Sequence, residues 1–169
     1  MNSRHAISIH TFGRFTNHRL QRQKTMGFIR DVVQDGLLKA VNERGGIKAV
    51  RYLCARKPSD VGIIINLDET WEYGLYFTSD KNELRITKEY VILSENGKKE
   101  KILERPNDED RNDTMQLTQT ALQQVNVNKA FRPVVDFFSS IIYSRVLIKR
   151  EKKHNVIFYY HTLCRTVFN

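Results

Sequence analysis

Apolar residues at Phe28, Ile29, Val32, Val33, Leu37, Ala40 and Val41 recur at steps of three and four, which gathers them on one face of a helix. The spacing predicts an amphipathic helix from Phe28 to Glu43. Thr25 is placed to cap its start, and Gly45-Gly46 supplies the left-handed residue that ends helices, with Ile47 closing onto the last turn. The period then changes. Val61–Leu67 is a β-branched run, Asp68-Glu69-Thr70 a turn, and Trp71–Phe77 a second strand. Glu83–Leu93 carries Leu84, Ile86, Tyr90 and Ile92, and Asn96-Gly97 is a strong hairpin signal before Lys98–Leu103. Sequential strands joined by short turns predict an antiparallel meander of about four strands.

Glu104–Asp113, ERPNDEDRND, reads as a charged loop that does not bury itself. Beyond it, Asp113 is placed to cap a helix through Val125, and Asn128 a second helix from Lys129 to about Tyr143. Pro133 falls near the first turn of that helix, where its missing N–H is tolerated. After Ser144 the pattern loosens into RVLIKREKK and a strand-like terminal segment, NVIFYYHTL. The predicted fold class is therefore α+β: a meander packed with one N-terminal amphipathic helix and two later helices. Ile29, Val33, Leu37, Trp71, Tyr73, Phe138 and Ile142 are the expected core. The organisation expected is a basic, poorly patterned segment 1–24, one α+β domain 25–143, and a basic run with a strand-like end, 144–169.

The 169 residues carry a formal net charge of +9, and its location matters more than its size. Residues 1–24 hold five basic residues and no acid, and residues 144–169 hold six basic residues against Glu151. The middle is therefore close to neutral. No apolar run approaches the roughly 20 residues needed to cross a bilayer, so no membrane partner is expected. Cys54 and Cys164 stand alone, without redox or zinc spacing, and are expected to be reduced. The composition of residues 1–24 overlaps that of a mitochondrial transit peptide, but a cytoplasmic location is the expectation taken.

FIRDVVQDGLLKAVNERGGIKAVR, WEYGLYF with EYVIL, and LTQTALQQVNVNKAFRPVVDFFSSIIYS together resemble the amino-terminal lobe of AAA-type ATPases with an ABC-like head, kin to RecF and SMC proteins. The likeness spans about residues 26–143. It implies a strand and a phosphate-binding loop ahead of the helix, with ATP and magnesium as cofactors of intact members, and a family role in ATP-dependent DNA transactions or defence. The loop pattern G-x-x-x-x-G-K-[ST] works because its backbone N–H groups and the helix N-terminus cradle phosphates. This chain has FTNHRLQRQKTMG in that place, and the pattern occurs nowhere else. At Gly97-Lys98-Lys99 the first glycine is replaced by Ile92 and the Ser/Thr by Lys99. The expectation is an incomplete member of the family without ATPase activity by itself, whose uncovered sheet edge is either a surface for self-association or is filled by the terminal NVIFYYHTL segment.

Other chemistry is thinly signalled. IIINLDE, Ile63–Glu69, has the form of a strand ending in magnesium-binding carboxylates, but reads as a strand entering a turn. Glu89 with Glu95, and Asp108, Glu109 and Asp110, read as solvated charge rather than paired catalytic carboxylates. The five histidines lack ligand spacing. No catalytic, cofactor-binding or metal-ligating residue is assigned. The alternative function is a small module that grips nucleic acid or an acidic partner through its basic ends, with Arg14, Arg19, Arg22, Lys24, Lys149, Arg150, Lys152 and Lys153 as the contact residues.

Overall fold

Two periods in the sequence become two layers in space. The computed structural model describes residues 7–11, 18–54, 60–80, 83–146 and 159–163. Strands β1 (Ile7–Thr11), β2 (Val61–Leu67), β3 (Trp71–Asp80), β4 (Glu83–Glu95) and β5 (Lys98–Arg105) form one antiparallel sheet in the order β1-β2-β3-β4-β5. The four strands of the predicted meander are β2 to β5, and the fold class is α+β. Asn96 and Gly97 both take positive φ, 51° and 75°, as the tight β4–β5 hairpin requires. Asp68 and Glu69, with φ of 51° and 60°, turn β2 into β3. The IIINLDE carboxylates thus lie at an exposed hairpin tip.

The inner face of the sheet carries Val61, Ile63, Ile65, Tyr73, Leu75, Phe77 and Val91, all buried. Helices α1 (His18–Asp35) and α5 (Arg132–Ser139) cover that face and touch each other. Phe28 stacks on Phe77 with ring centroids 5.9 Å apart, and Phe138 meets Tyr73 edge-on at 5.8 Å. Arg44 lies over the Phe28 ring at 5.1 Å and is held there by Asp31. Ile29, Leu37, Tyr73 and Phe138 of the expected core are fully buried, whereas Val33 and Trp71 are only partly buried against it. The side chain of Ile142 lies outside the described residues.

Several boundaries depart from the sequence expectation. The first helix begins ten residues early, so Thr25 is buried within α1 instead of capping it. It also breaks at Gly36, whose φ of 96° starts a separate helix, α2 (Leu37–Asn42). A Cβ at Gly36 would lie 2.7 Å from the Gln123 amide nitrogen, so this position is constrained both by its backbone and by a neighbour. A further helix, α3 (Ile47–Cys54), follows the glycine pair. The supposed loop after β5 contains α4 (Asp108–Asn112), and the supposed helix from Asp113 is a 3-10 turn, Thr114–Thr118. Asp113 does cap that turn, accepting from the Met115 N–H at 3.1 Å. The last helix is shorter than expected, because a second 3-10 turn, Val127–Phe131, precedes α5. Asn128 is buried and donates to the Leu122 carbonyl at 2.8 Å, so it is no helix cap.

The sheet edge next to β2 is filled from the amino-terminal side, by β1, and not by the terminal segment. Tyr159–Leu163, β7, pairs instead with β6 (Ile142–Val146) in a separate two-stranded sheet. At the opposite edge β5 exposes Lys98, Lys99, Glu100 and Lys101, charges of the kind that discourage a bare edge from pairing with another chain.

On the outer face Gly74 is directly opposite Tyr90. A Cβ there would come within 2.2 Å of the Tyr90 ring, so the absent side chain is what lets the ring lie flat on the sheet. The Tyr90 hydroxyl donates to Glu72 at 2.9 Å, and the Lys88 ammonium sits 5.2 Å from the ring centre. Gly74→Ala is expected to destabilise the protein by about 1–3 kcal/mol through overpacking. The same change in a Tyr90→Ala background should cost much less, and equal costs in urea denaturation would show that the two positions are independent.

Candidate functional site

The most concentrated polar chemistry among the described residues is buried, between the sheet and the segment that follows it. β4 opens with Leu84 and Ile86 facing inward, and simple alternation would then send Lys88 in and Glu89 out. A register shift opposite Tyr76 and Phe77 leaves Thr87 unpaired, and beyond this bulge the faces exchange. Glu89 therefore points into the core and is completely buried. Its register partner across the β4–β5 ladder is Arg105, which is 3% exposed.

Arg105 uses every N–H it has. Its Nε and Nη2 grip Asp110, the shortest contact being 2.7 Å. Nη1 reaches Glu89 Oε2 at 3.2 Å and the Gln119 carbonyl at 2.9 Å, while Nη2 also donates to the Gln116 carbonyl at 2.8 Å. Glu89 accepts in addition from the Tyr73 hydroxyl and, at both oxygens, from the Ala121 N–H, each at 2.9 Å. Asp110 is fixed by a capping box: Asn107 Oδ1 accepts from the Asp110 N–H and Asp110 Oδ2 from the Asn107 N–H, both at 2.9 Å. The cluster joins β3, β4 and β5 to α4, the 3-10 turn and the turn at Ala121.

Electrostatics follow from burial and pairing. Burial pushes Glu89 above the usual carboxylate range, opposed in part by the Ala121 N–H, Arg105 and the Tyr73 hydroxyl. Asp110 is also pushed up by burial, but the Arg105 hydrogen bonds, the Asn107 N–H and the Arg105 charge outweigh this and hold it below its ordinary value. Burial works to lower Arg105, and its two carboxylates more than reverse that. Tyr73 is pushed well up, first by burial and then by the Glu89 charge.

The reading of Glu89 and Asp110 as solvated charge is thus wrong, and the bulge explains the Glu89 error. Asp110 left a trace in the sequence, since Asn107 and Asp110 stand three apart in the capping-box arrangement. Asp108 and Glu109 are exposed as expected, and so is Glu95. Because the cluster's donors and acceptors face one another, it is a clamp and offers no open position to a substrate. Among the described residues no group of three or more His, Cys, Asp and Glu is arranged to hold a metal ion, and no helix is long and apolar enough to cross a membrane.

The described residues include three of the basic residues assigned to a nucleic-acid contact. Arg19, Arg22 and Lys24 are on α1, and Lys24 is exposed. Arg14, Lys149, Arg150, Lys152 and Lys153 lie outside the described residues. At the place where a phosphate-binding loop would precede Phe28, α1 runs without a break from His18, so the N–H groups of Gly27 and Phe28 are inside a helix and not at its open end. No protein-family model, curated protein or solved structure matches this chain.

Proposed function

We propose that this chain is an incomplete lobe of an AAA/ABC-type ATPase head, acting in the cytoplasm as a structural element and not hydrolysing ATP by itself. What supports the kinship is the order of elements: helix, antiparallel meander, then short helices packed on the same sheet face. What carries the lack of activity is the uninterrupted course of α1 through the position of the phosphate loop. Phosphoryl transfer depends almost wholly on positioning and neutralising the phosphates, and a helix interior offers neither. The purified chain should show no ATP turnover above background and no thermal shift with magnesium-ATP. Saturable turnover that survives repurification would overturn the proposal.

A basic binding module is the competing function, favoured by the exposure of Lys24 on a helix that also carries Arg19 and Arg22. A salt titration of duplex-DNA retention separates the two. Saturable binding whose affinity falls steeply with salt supports the module, and weak retention independent of sequence supports the structural lobe.

A further inference from the structure

We propose that the outer edge of β1 is a docking site for an extended peptide segment with acidic residues at its ends, which joins the sheet as an additional strand. β1 is the outermost strand on its side of the sheet, and among the described residues nothing pairs with its other edge. An outermost strand presents a row of unpaired backbone N–H and C=O groups that another extended backbone can complete. The two edges of this sheet are unlike. β5 ends the sheet with Lys98, Lys99, Glu100 and Lys101 exposed. The β1 sequence, ISIHT, holds no Lys, Arg, Asp, Glu or Pro, and its register with β2 runs from Ile7 to Thr11 without a bulge. Charges, prolines and bulges are what keep an edge from pairing, so β1 is open where β5 is guarded.

Charge selects the occupant. Residues 1–24 contain five basic residues and no acid, and Arg4 and Arg14 each stand three positions from an end of β1. A second copy of the chain is a poor partner, because β1 paired with itself about Ile9 would gather Arg4 of one copy and Arg14 of the other at each end of the new ladder, where like charges repel. Nucleic acid has no alternating N–H and C=O groups with which to complete the ladder. A peptide with β-branched residues in its centre and Asp or Glu at its ends meets both requirements: its backbone supplies the affinity, and its ends fix the register against Arg4 and Arg14. The edge is independent of the ATPase kinship, since it rests on the pairing and sequence of β1 alone.

A blocked synthetic peptide of alternating valine and threonine with aspartates at both ends, titrated into the full chain, tests this. Its binding should saturate and weaken with added salt. It should also slow hydrogen exchange at alternate amides of β1, either Ser8 and His10 or Ile7, Ile9 and Thr11, because the intervening N–H groups already face β2. The same peptide with lysine ends should bind roughly fivefold more weakly, and Arg4→Glu combined with Arg14→Glu should reverse the preference. The exchange measurement needs no variant. Absence of saturable binding, equal affinity for the two peptides, protection confined to residues outside β1, or alternate β1 amides already protected in the dilute protein without peptide would each overturn the docking site. Protection of those amides that grows with protein concentration alone, with a dimer in sedimentation, would overturn it in favour of a second copy.

Discussion

Arg105→Met lowers the free energy of unfolding by about 3–5 kcal/mol, because it leaves two carboxylates buried without their cation. Methionine keeps most of the side-chain volume, so the loss reports charge and hydrogen bonding more than a cavity. Glu89, Asp110 and the Gln116 and Gln119 carbonyls all lose a donor at once. Urea denaturation of the variant measures the loss, and a second comparison localises it. In a Glu89→Gln background one of the two stranded charges is already gone, so the same replacement should cost less. A loss below about 1 kcal/mol, typical of exposed ion pairs, would mean that the cluster is solvated.

Phe138→Ala should cost about 3–5 kcal/mol, the range for emptying a packed aromatic site. Phe138 is fully buried between Phe137, at 5.7 Å, and Tyr73, at 5.8 Å. Tyr73 presents its ring to α5 and its hydroxyl to Glu89, so the cavity also loosens one support of the clamp. An unchanged melting temperature would contradict the packing of α5 on the inner face.

The sheet was legible because its signals are local. A β-branched run and the Asn96-Gly97 turn state strand and hairpin within a few residues, and Val61–Leu67 alternates as such a strand should. The helical layer was harder. The stripe from Phe28 to Val41 continues across Gly36, and the side chain that meets the break there, Gln123, is 87 positions away. The short helices around Thr114–Phe131 follow the shape of the sheet they cover more than any period of their own. The clamp was hidden for a sharper reason. One unpaired residue, Thr87, reverses the facing of everything after it in β4, and no composition rule distinguishes a glutamate on one side of a strand from the same glutamate on the other.

The nearest-neighbour order of β2 to β5 bears on how the protein folds. Each of those strands pairs with the one before it in the chain, so the mean sequence separation of their contacts is low, and such hairpins close without long loops. The Glu89–Ala121 bond spans 32 residues and β1 reaches β2 across more than 50, contacts that must wait for the meander to exist. The meander is thus expected to lead and the clamp to close late. In stopped-flow measurements, Arg105→Met should then speed unfolding while leaving the refolding rate nearly unchanged, and a slowed refolding rate would place the cluster in the nucleus instead.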